Sequence, residues 1–348
     1  MKLADLPTPC LVLERGILQR NLERMANAVA RHGVTLRPHM KTAKSIDVAR
    51  LALALPQARH GGITVSTLAE AEYFAGHDIV DILYAVGITP QKLEQVAKLN
   101  AAGASVIVIT DDAETASVIA AQPNPPRVLI EVDSGEHRGG LGVDDAALLD
   151  IAARLGNALA GVMTHAGHSY AGRTPEQMAA IAETERASIT RAAARLTAAG
   201  FPCPIVSMGS SPTALHAAGL AGVTEVRAGV YMFGDLFQAE IATHGLEDIA
   251  VTVLASVIGR RPAEGRMLID AGGLALSKDR STAAVPVDFG FGLVLDQSGQ
   301  RSLGHSVVAT AYQEHGVVTI DHAVSPPALK VGDRVRVAPN HTCMTVAA

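Results

Sequence analysis

Three groups of residues carry side chains suited to chemistry. The first is Arg37-Pro38-His39-Met40-Lys41, which closes an apolar run and is followed by Lys44. A lysine held beside a buried strand end would be desolvated, and its neutral amine could form a Schiff base. A solvated first helical turn fits Lys41 and Lys44 equally well by residue type. The second group is Gly209-Ser210-Ser211 with Arg227-Ala228-Gly229. Backbone amides and hydroxyls of such turns can face an anion, though a plain turn and N-cap would use the same residues. The third is His341-Thr342-Cys343 near the end of the chain. On an extended backbone alternate side chains share a face, so imidazole and thiolate could meet one metal, with zinc favoured. A buried cysteine beside a satisfied histidine is the plainer alternative.

These groups must be held by regular elements. Strand-like apolar runs occur at 34–38, 62–66, 81–86, 105–110, 127–133, 159–165, 205–209 and 225–231. Helically periodic stretches lie between them, among them 44–55, 67–75, 91–102, 145–155 and 176–199. Near-continuous apolar strands alternating with helices predict a parallel sheet covered on both faces. Repeated eight times, that unit closes a (β/α)8 TIM barrel. Thr67 with Glu70 reads as a capping box opening one helix.

After Phe237 the texture changes. Short β-type runs at 249–258, 266–270, 303–308, 316–320 and 333–337 are separated by Gly, Pro and Asp, which predicts a C-terminal antiparallel β domain. The opening run 9–14 is assigned to that domain. The expected division is therefore a barrel over 16–245 and a β domain over 246–348 with 1–15.

In such barrels chemistry gathers at the C-terminal ends of the strands. The polar segments 37–41, 131–138, 164–170, 209–213 and 227–231 all fall there. Composition narrows the function classes. Across 348 residues the net charge is −5 and aromatic residues total 3%, with no basic stripe, so nucleic-acid binding is not expected. No apolar run reaches membrane-spanning length, and residues 1–5 lead into no signal-like segment. Three cysteines at wide spacing do not form a disulfide framework, which points to a reducing cytoplasm.

Taken together, Pro7-Thr8-Pro9, RPHMKTAK, EVDSGEHRGG, HAGHSY, SMGSSPT, EVRAGVYMFGD, DAGGLALSKD, QEHG and PNHTC resemble the D-serine dehydratase / D-threonine aldolase family. These are fold type III, alanine-racemase-like pyridoxal-phosphate enzymes with a metal site. The resemblance implies an alanine-racemase-type barrel in which Lys41 is the covalent anchor of pyridoxal 5'-phosphate and His39 orients the site. It places Arg138 at the phenolic oxygen and Tyr170 near the pyridine nitrogen. Gly209, Ser210, Gly229, Val230 and Tyr231 become the phosphate cup, and His341 and Cys343 the ligands of a divalent metal, zinc first and manganese second. It also implies a homodimer acting on a small D-3-hydroxy amino acid.

The HxC pair favours a dehydratase of the D-serine or D-threo-3-hydroxyaspartate type, giving a 2-oxo acid and ammonia. A D-threonine aldolase, cleaving to glycine and an aldehyde, is the alternative, ahead of a racemase or a pyridoxal-phosphate carrier. Arg37, His137, His165, His168, Glu314 and His315 are further candidates for the neighbourhood of the site.

Overall fold

The computed structural model describes residues 3–58, 61–323 and 329–347. The chain forms two compact units, Leu22–Gly229 and Met1–Asn21 with Val230–Ala348. Residues soon after 229 go with the second unit because Leu236 is buried in a cluster with Ile249, Phe289, Leu293, Leu295 and Ala338.

The first strand of the chain, β1 (Cys10–Leu13), belongs to the second unit. The first unit contains β2 (Thr35–Pro38), β3 (Ile63–Val65), β4 (Asp81–Gly87), β5 (Ser105–Thr110), β6 (Val128–Asp133), the short β7 (Leu141–Gly142), β8 (Leu159–Met163), β9 (Ile205–Met208) and β10 (Glu225–Ala228). Apart from β7, which pairs only with β6, they follow one another as parallel neighbours from β3 through β10 to β2. Residues just past β2 close the ring. His39 N–H donates to Ala228 O at 2.7 Å, and Met40 N–H donates to Thr64 O at 2.8 Å. The expected (β/α)8 barrel is thus present.

Helices between the strands cover the outside, and their starts follow local chemistry. Thr67 accepts from Glu70 N–H at 3.0 Å, as the capping box requires, but the Glu70 carboxylate returns to Ser66 N–H at 2.8 Å rather than to Thr67. The expected helix over 44–55 starts only at Ile46, because Lys44 takes a left-handed φ of 49°.

The barrel interior is apolar on one side and ionic on the other. Leu83, Ile107, Ile109, Leu129 and Met163 form a buried cluster. Opposite chemistry comes from Arg37, whose guanidinium donates to Glu225 at 2.9 Å and to Asp81 at 2.9 Å. Ser207 Oγ donates to Glu225 at 2.6 Å, and Arg227 donates to Thr164 O at 2.6 Å. Arg37, Glu225 and Arg227 are all buried, so these charges hold one another in a medium that does not solvate them.

The second unit is antiparallel: β1, β11 (Val251–Arg261), β12 (Arg266–Ile269), β13 (Leu293–Asp296), β14 (Val307–Ala311), β15 (Gly316–Thr319) and β16 (Arg334–Ala338). β16 pairs with both β13 and β11, which curls the sheet into a small barrel. Alternate residues fill its core, including Val253, Ala255, Val257, Val335 and Val337. Two details differ from the sequence reading. β13 lies outside the β-type runs marked in the sequence, and the run expected at 303–308 is a turn followed by a strand that starts at Val307. No helix among the described residues is long and apolar enough to cross a membrane.

Candidate active site

Lys41 follows the residues that close the barrel, which explains the placement of Pro38. As the last residue of β2 it lies opposite Ala228 of β10, and the hydrogen bonds of ring closure come instead from the His39 and Met40 amides. Lys41 itself is exposed. The desolvated lysine expected from sequence is therefore not what this chain presents; electrostatic company sets Lys41 apart instead. His39 is driven well below the usual histidine range, first by burial and then by Lys41, Arg227 and His165. His165 falls to about 3, again chiefly through burial, with Lys41, Arg227 and Arg138 as the neighbouring cations; Gly209 O, 2.9 Å from Nδ1, opposes the fall.

The other barrel residues sit on successive loops. Arg138 is largely exposed and pairs with Glu136 at 3.1 Å. Its loop is shaped by Asp133, which accepts from Gly135 N–H at 2.8 Å and His137 N–H at 3.1 Å and meets His137 Nδ1 at 2.7 Å. His137 is thus accounted for by the loop itself. Tyr170 lies in the helical turn Gly167–Ala171 after β8, where its carbonyl accepts from Arg173 at 3.0 Å.

Gly209 and Gly229 are glycines because backbones crowd them. A Cβ on Gly209, which has φ of 128°, would lie 2.5 Å from Arg227 O, and one on Gly229 would lie 2.8 Å from His39 O. Gly209 does not offer a free amide, however: its N–H donates to Glu185 at 2.9 Å. Ser210 N–H donates to Thr213 Oγ1 at 3.0 Å, while the Ser210 hydroxyl lies 2.8 Å from Ser169 Oγ and 3.0 Å from Thr213 Oγ1. Val230 and Tyr231 follow Gly229 in sequence but belong to the second unit, where both are buried; burial pushes the Tyr231 phenol up.

Lys41, Arg227 and Arg138 bring positive charge to the neutral His39 and His165, offset in part by Glu225, Glu185 and Glu131 at Arg227 and by Glu136 at Arg138. The phosphate and phenolic oxygens of pyridoxal phosphate fit such a group of cations. Among the described residues of this unit, Thr64 Oγ1 and His168 Nδ1 are two of five buried side-chain atoms with no protein partner, the others being His32 Nε2, Glu185 Oε2 and His216 Nε2. The residues present therefore fit the cofactor.

In the second unit, His341 immediately precedes the helix Thr342–Ala347, which contains Cys343, so the pair is not on the extended backbone expected from sequence. The two side chains meet all the same. Burial lowers the His341 pKa, but hydrogen bonds to Asp279 and Cys343 outweigh it and raise it to about 10. Asp279 Oδ2 lies 3.2 Å from His341 Nδ1, and that bond is the main cause holding its carboxyl at about 2.

The segment is pinned from three sides. Thr342 N–H donates to Asp235 at 3.0 Å, Thr282 N–H donates to Asn340 Oδ1 at 3.0 Å, and Asn340 Nδ2 donates to Gly290 O at 2.5 Å. Nδ1 facing a carboxylate leaves Nε2 for a metal, an orientation usual in metal sites. No group of three or more His, Cys, Asp or Glu side chains among the described residues converges on a metal position. The donor chemistry of His341 and Cys343 fits an open site with few protein ligands.

Of the further candidates, Arg37 belongs to the barrel's ionic interior, and Glu314 and His315 are exposed between β14 and β15. Sequence reasoning missed Asp279, the guanidinium of Arg227 and Glu185. The last had a signal. Met178, Ala182, Glu185, Ile189, Ala192 and Leu196 are the buried stripe of the helix Pro175–Ala198, and an acid on an apolar stripe calls for a partner.

Comparison with known proteins bears on the family and the fold. Residues 14–236 match the family described as alanine racemase, N-terminal domain, and residues 250–348 match the putative serine dehydratase domain. A D-threo-3-hydroxyaspartate dehydratase of Delftia sp. (strain HT23) is 45% identical, over 99% of this chain and 93% of that protein. A D-serine dehydratase of Dictyostelium discoideum is 31% identical, over 99% and 92%. Among solved structures, a cysteine-to-alanine mutant of D-threo-3-hydroxyaspartate dehydratase in the metal-free form superposes with a TM-score of 0.95 at 43% identity, covering 100% of this chain and 94% of that one. With both domain families matched in order along nearly the whole chain, the protein belongs to the D-threo-3-hydroxyaspartate dehydratase / D-serine dehydratase family of fold type III, alanine-racemase-like pyridoxal-phosphate enzymes, and is a lyase of that family.

Proposed function

We propose that the protein dehydrates D-3-hydroxy amino acids to a 2-oxo acid and ammonia, with D-threo-3-hydroxyaspartate as the leading substrate. The observation that carries this reading is the 45% identity, over nearly both full lengths, to a D-threo-3-hydroxyaspartate dehydratase. Pyridoxal phosphate supplies an electron sink for charge at Cα, and a divalent ion supplies Lewis acidity to a departing β-hydroxyl.

The chain's own residues do the rest. Lys41 would hold the cofactor covalently, and its amine would take the proton from the substrate Cα as general base. His39 and His165, kept neutral among cations, orient the site without adding positive charge. Arg138 holds the phenolic oxygen and Tyr170 the pyridine nitrogen. Ser210, Gly229, Val230 and Tyr231 hold the phosphate, with Gly209 giving the turn rather than a donor. His341 and Cys343 hold the metal, zinc first and manganese second. The metal-free cysteine mutant of the related enzyme supports Cys343 in that role. The acting form is a cytoplasmic homodimer.

Product analysis on D-threonine with pyridoxal phosphate and zinc or manganese tests the reaction type. Dehydration yields 2-oxobutanoate and ammonia. Glycine with acetaldehyde would replace this reading by the aldolase.

A further inference from the structure

The helix Pro175–Ala198 turns one acid, Glu185, into the core, fully buried. Its Oε1 accepts two amides from different barrel turns: Ala166 N–H, after β8, at 3.1 Å and Gly209 N–H, after β9, at 2.9 Å. The Thr213 hydroxyl is near enough to pull its pKa down, while Oε2 has no hydrogen-bond partner among the described residues. Thr213 reaches Ser210, and Ser210 reaches Ser169. Through Oε1 alone, one carboxyl thus ties the turn that carries His165 to the turn that carries Ser210.

We propose that Glu185 is a positioning residue for the phosphate end of the cofactor, fixing the Gly209–Ser210 turn against the His165–Ala166 turn. Three features argue against a merely space-filling role. An apolar side chain would fill the helix stripe more cheaply, since a buried carboxyl must be hydrogen-bonded to be tolerated. Both amides it accepts lie in the turns after strand ends, where barrel chemistry gathers, rather than in the helical layer. Gly209 can carry no side chain, so its turn has no anchor of its own and depends on the partner of its amide. The inference rests on Gly209 and Ser210 belonging to the phosphate cup.

The test compares pyridoxal phosphate with pyridoxal, which lacks the phosphate. Dissociation constants of both are measured by equilibrium dialysis on full-length, cofactor-stripped wild type, Glu185→Ala, Glu185→Gln and Thr213→Val. Wild type should prefer the phosphorylated form. Glu185→Ala should lose roughly tenfold of that preference, the size of one misdirected hydrogen bond. Glu185→Gln keeps Oε1 as acceptor and should retain it, while Thr213→Val should lose part of it and stands in where Glu185→Ala does not fold. Equal weakening toward both ligands, or none, in Glu185→Ala and Thr213→Val would overturn the positioning role. Absence of any phosphate preference in wild type would instead remove the phosphate-cup reading on which the proposal rests.

Discussion

His341 turns its Nδ1 to Asp279 Oδ2, 3.2 Å away and 62 residues distant in sequence. That single contact fixes which ring nitrogen stays available and joins the C-terminal His-Thr-Cys segment to the loop containing Lys278 and Arg280. A carboxylate behind a metal-ligating histidine typically contributes 10–100-fold to affinity, so Asp279→Ala should weaken zinc binding by roughly that factor. Competition with a chromogenic chelator, without substrate, reads this directly. Unchanged affinity would show that Asp279 serves only the fold.

Lys41 is the expected covalent anchor. Borohydride reduction of the cofactor-loaded protein followed by peptide mapping should put the label on Lys41, and Lys41→Ala should take none while losing turnover. Label on Lys44, whose ammonium is engaged by Glu70, would move the site.

The barrel's ionic interior is expected to behave differently from the surface. Glu225→Ala leaves Arg37 buried with the half-exposed Asp81 and the Ile63 carbonyl, and breaking such a pair costs about 3–5 kcal/mol. A large fall in the urea midpoint should follow. Lys98→Ala, which removes the exposed pair with Glu94, should leave the midpoint where it was.

Glu185 should leave a signature in the pH dependence of stability. Burial raises its pKa to about 7 from 4.5, against the pull of Thr213 and the two amides. The folded state therefore holds a proton that the unfolded state has released. The stabilisation is complete below about 4.5 and is lost as pH rises through about 7, an effect on the order of 3 kcal/mol. The depressed histidines act in the opposite sense, gaining stability as pH rises toward 6.5. The informative quantity is thus wild type minus Glu185→Gln. That difference in melting temperature should favour wild type more at pH 5 than at pH 8; a difference independent of pH would contradict it.

Much of the barrel was legible because a parallel strand buried on both faces leaves an unbroken apolar run, and polar residues cluster where each run ends. β13 was not, since Leu293–Asp296 is four residues long and lies among Gly and Asp signals that also mark loops. The metal pair was legible by residue type but not by conformation: Thr342–Ala347 coils into a helix whose Thr342 amide is capped by Asp235, a partner 107 residues away. Asp279, Arg227 and Glu185 act through contacts between distant segments. Of these, Glu185 left a local trace as a charge on a helix's apolar stripe, and Arg227 one as a polar residue where a strand ends.

The most direct test of the central claim is the product formed from D-threo-3-hydroxyaspartate by the protein loaded with pyridoxal phosphate and a divalent metal. Loss of water from Cα–Cβ predicts oxaloacetate and ammonia in equal amounts, with no glycine. Glycine and glyoxylate in equal amounts would mean that the Cα–Cβ bond breaks instead, and would contradict the dehydratase account.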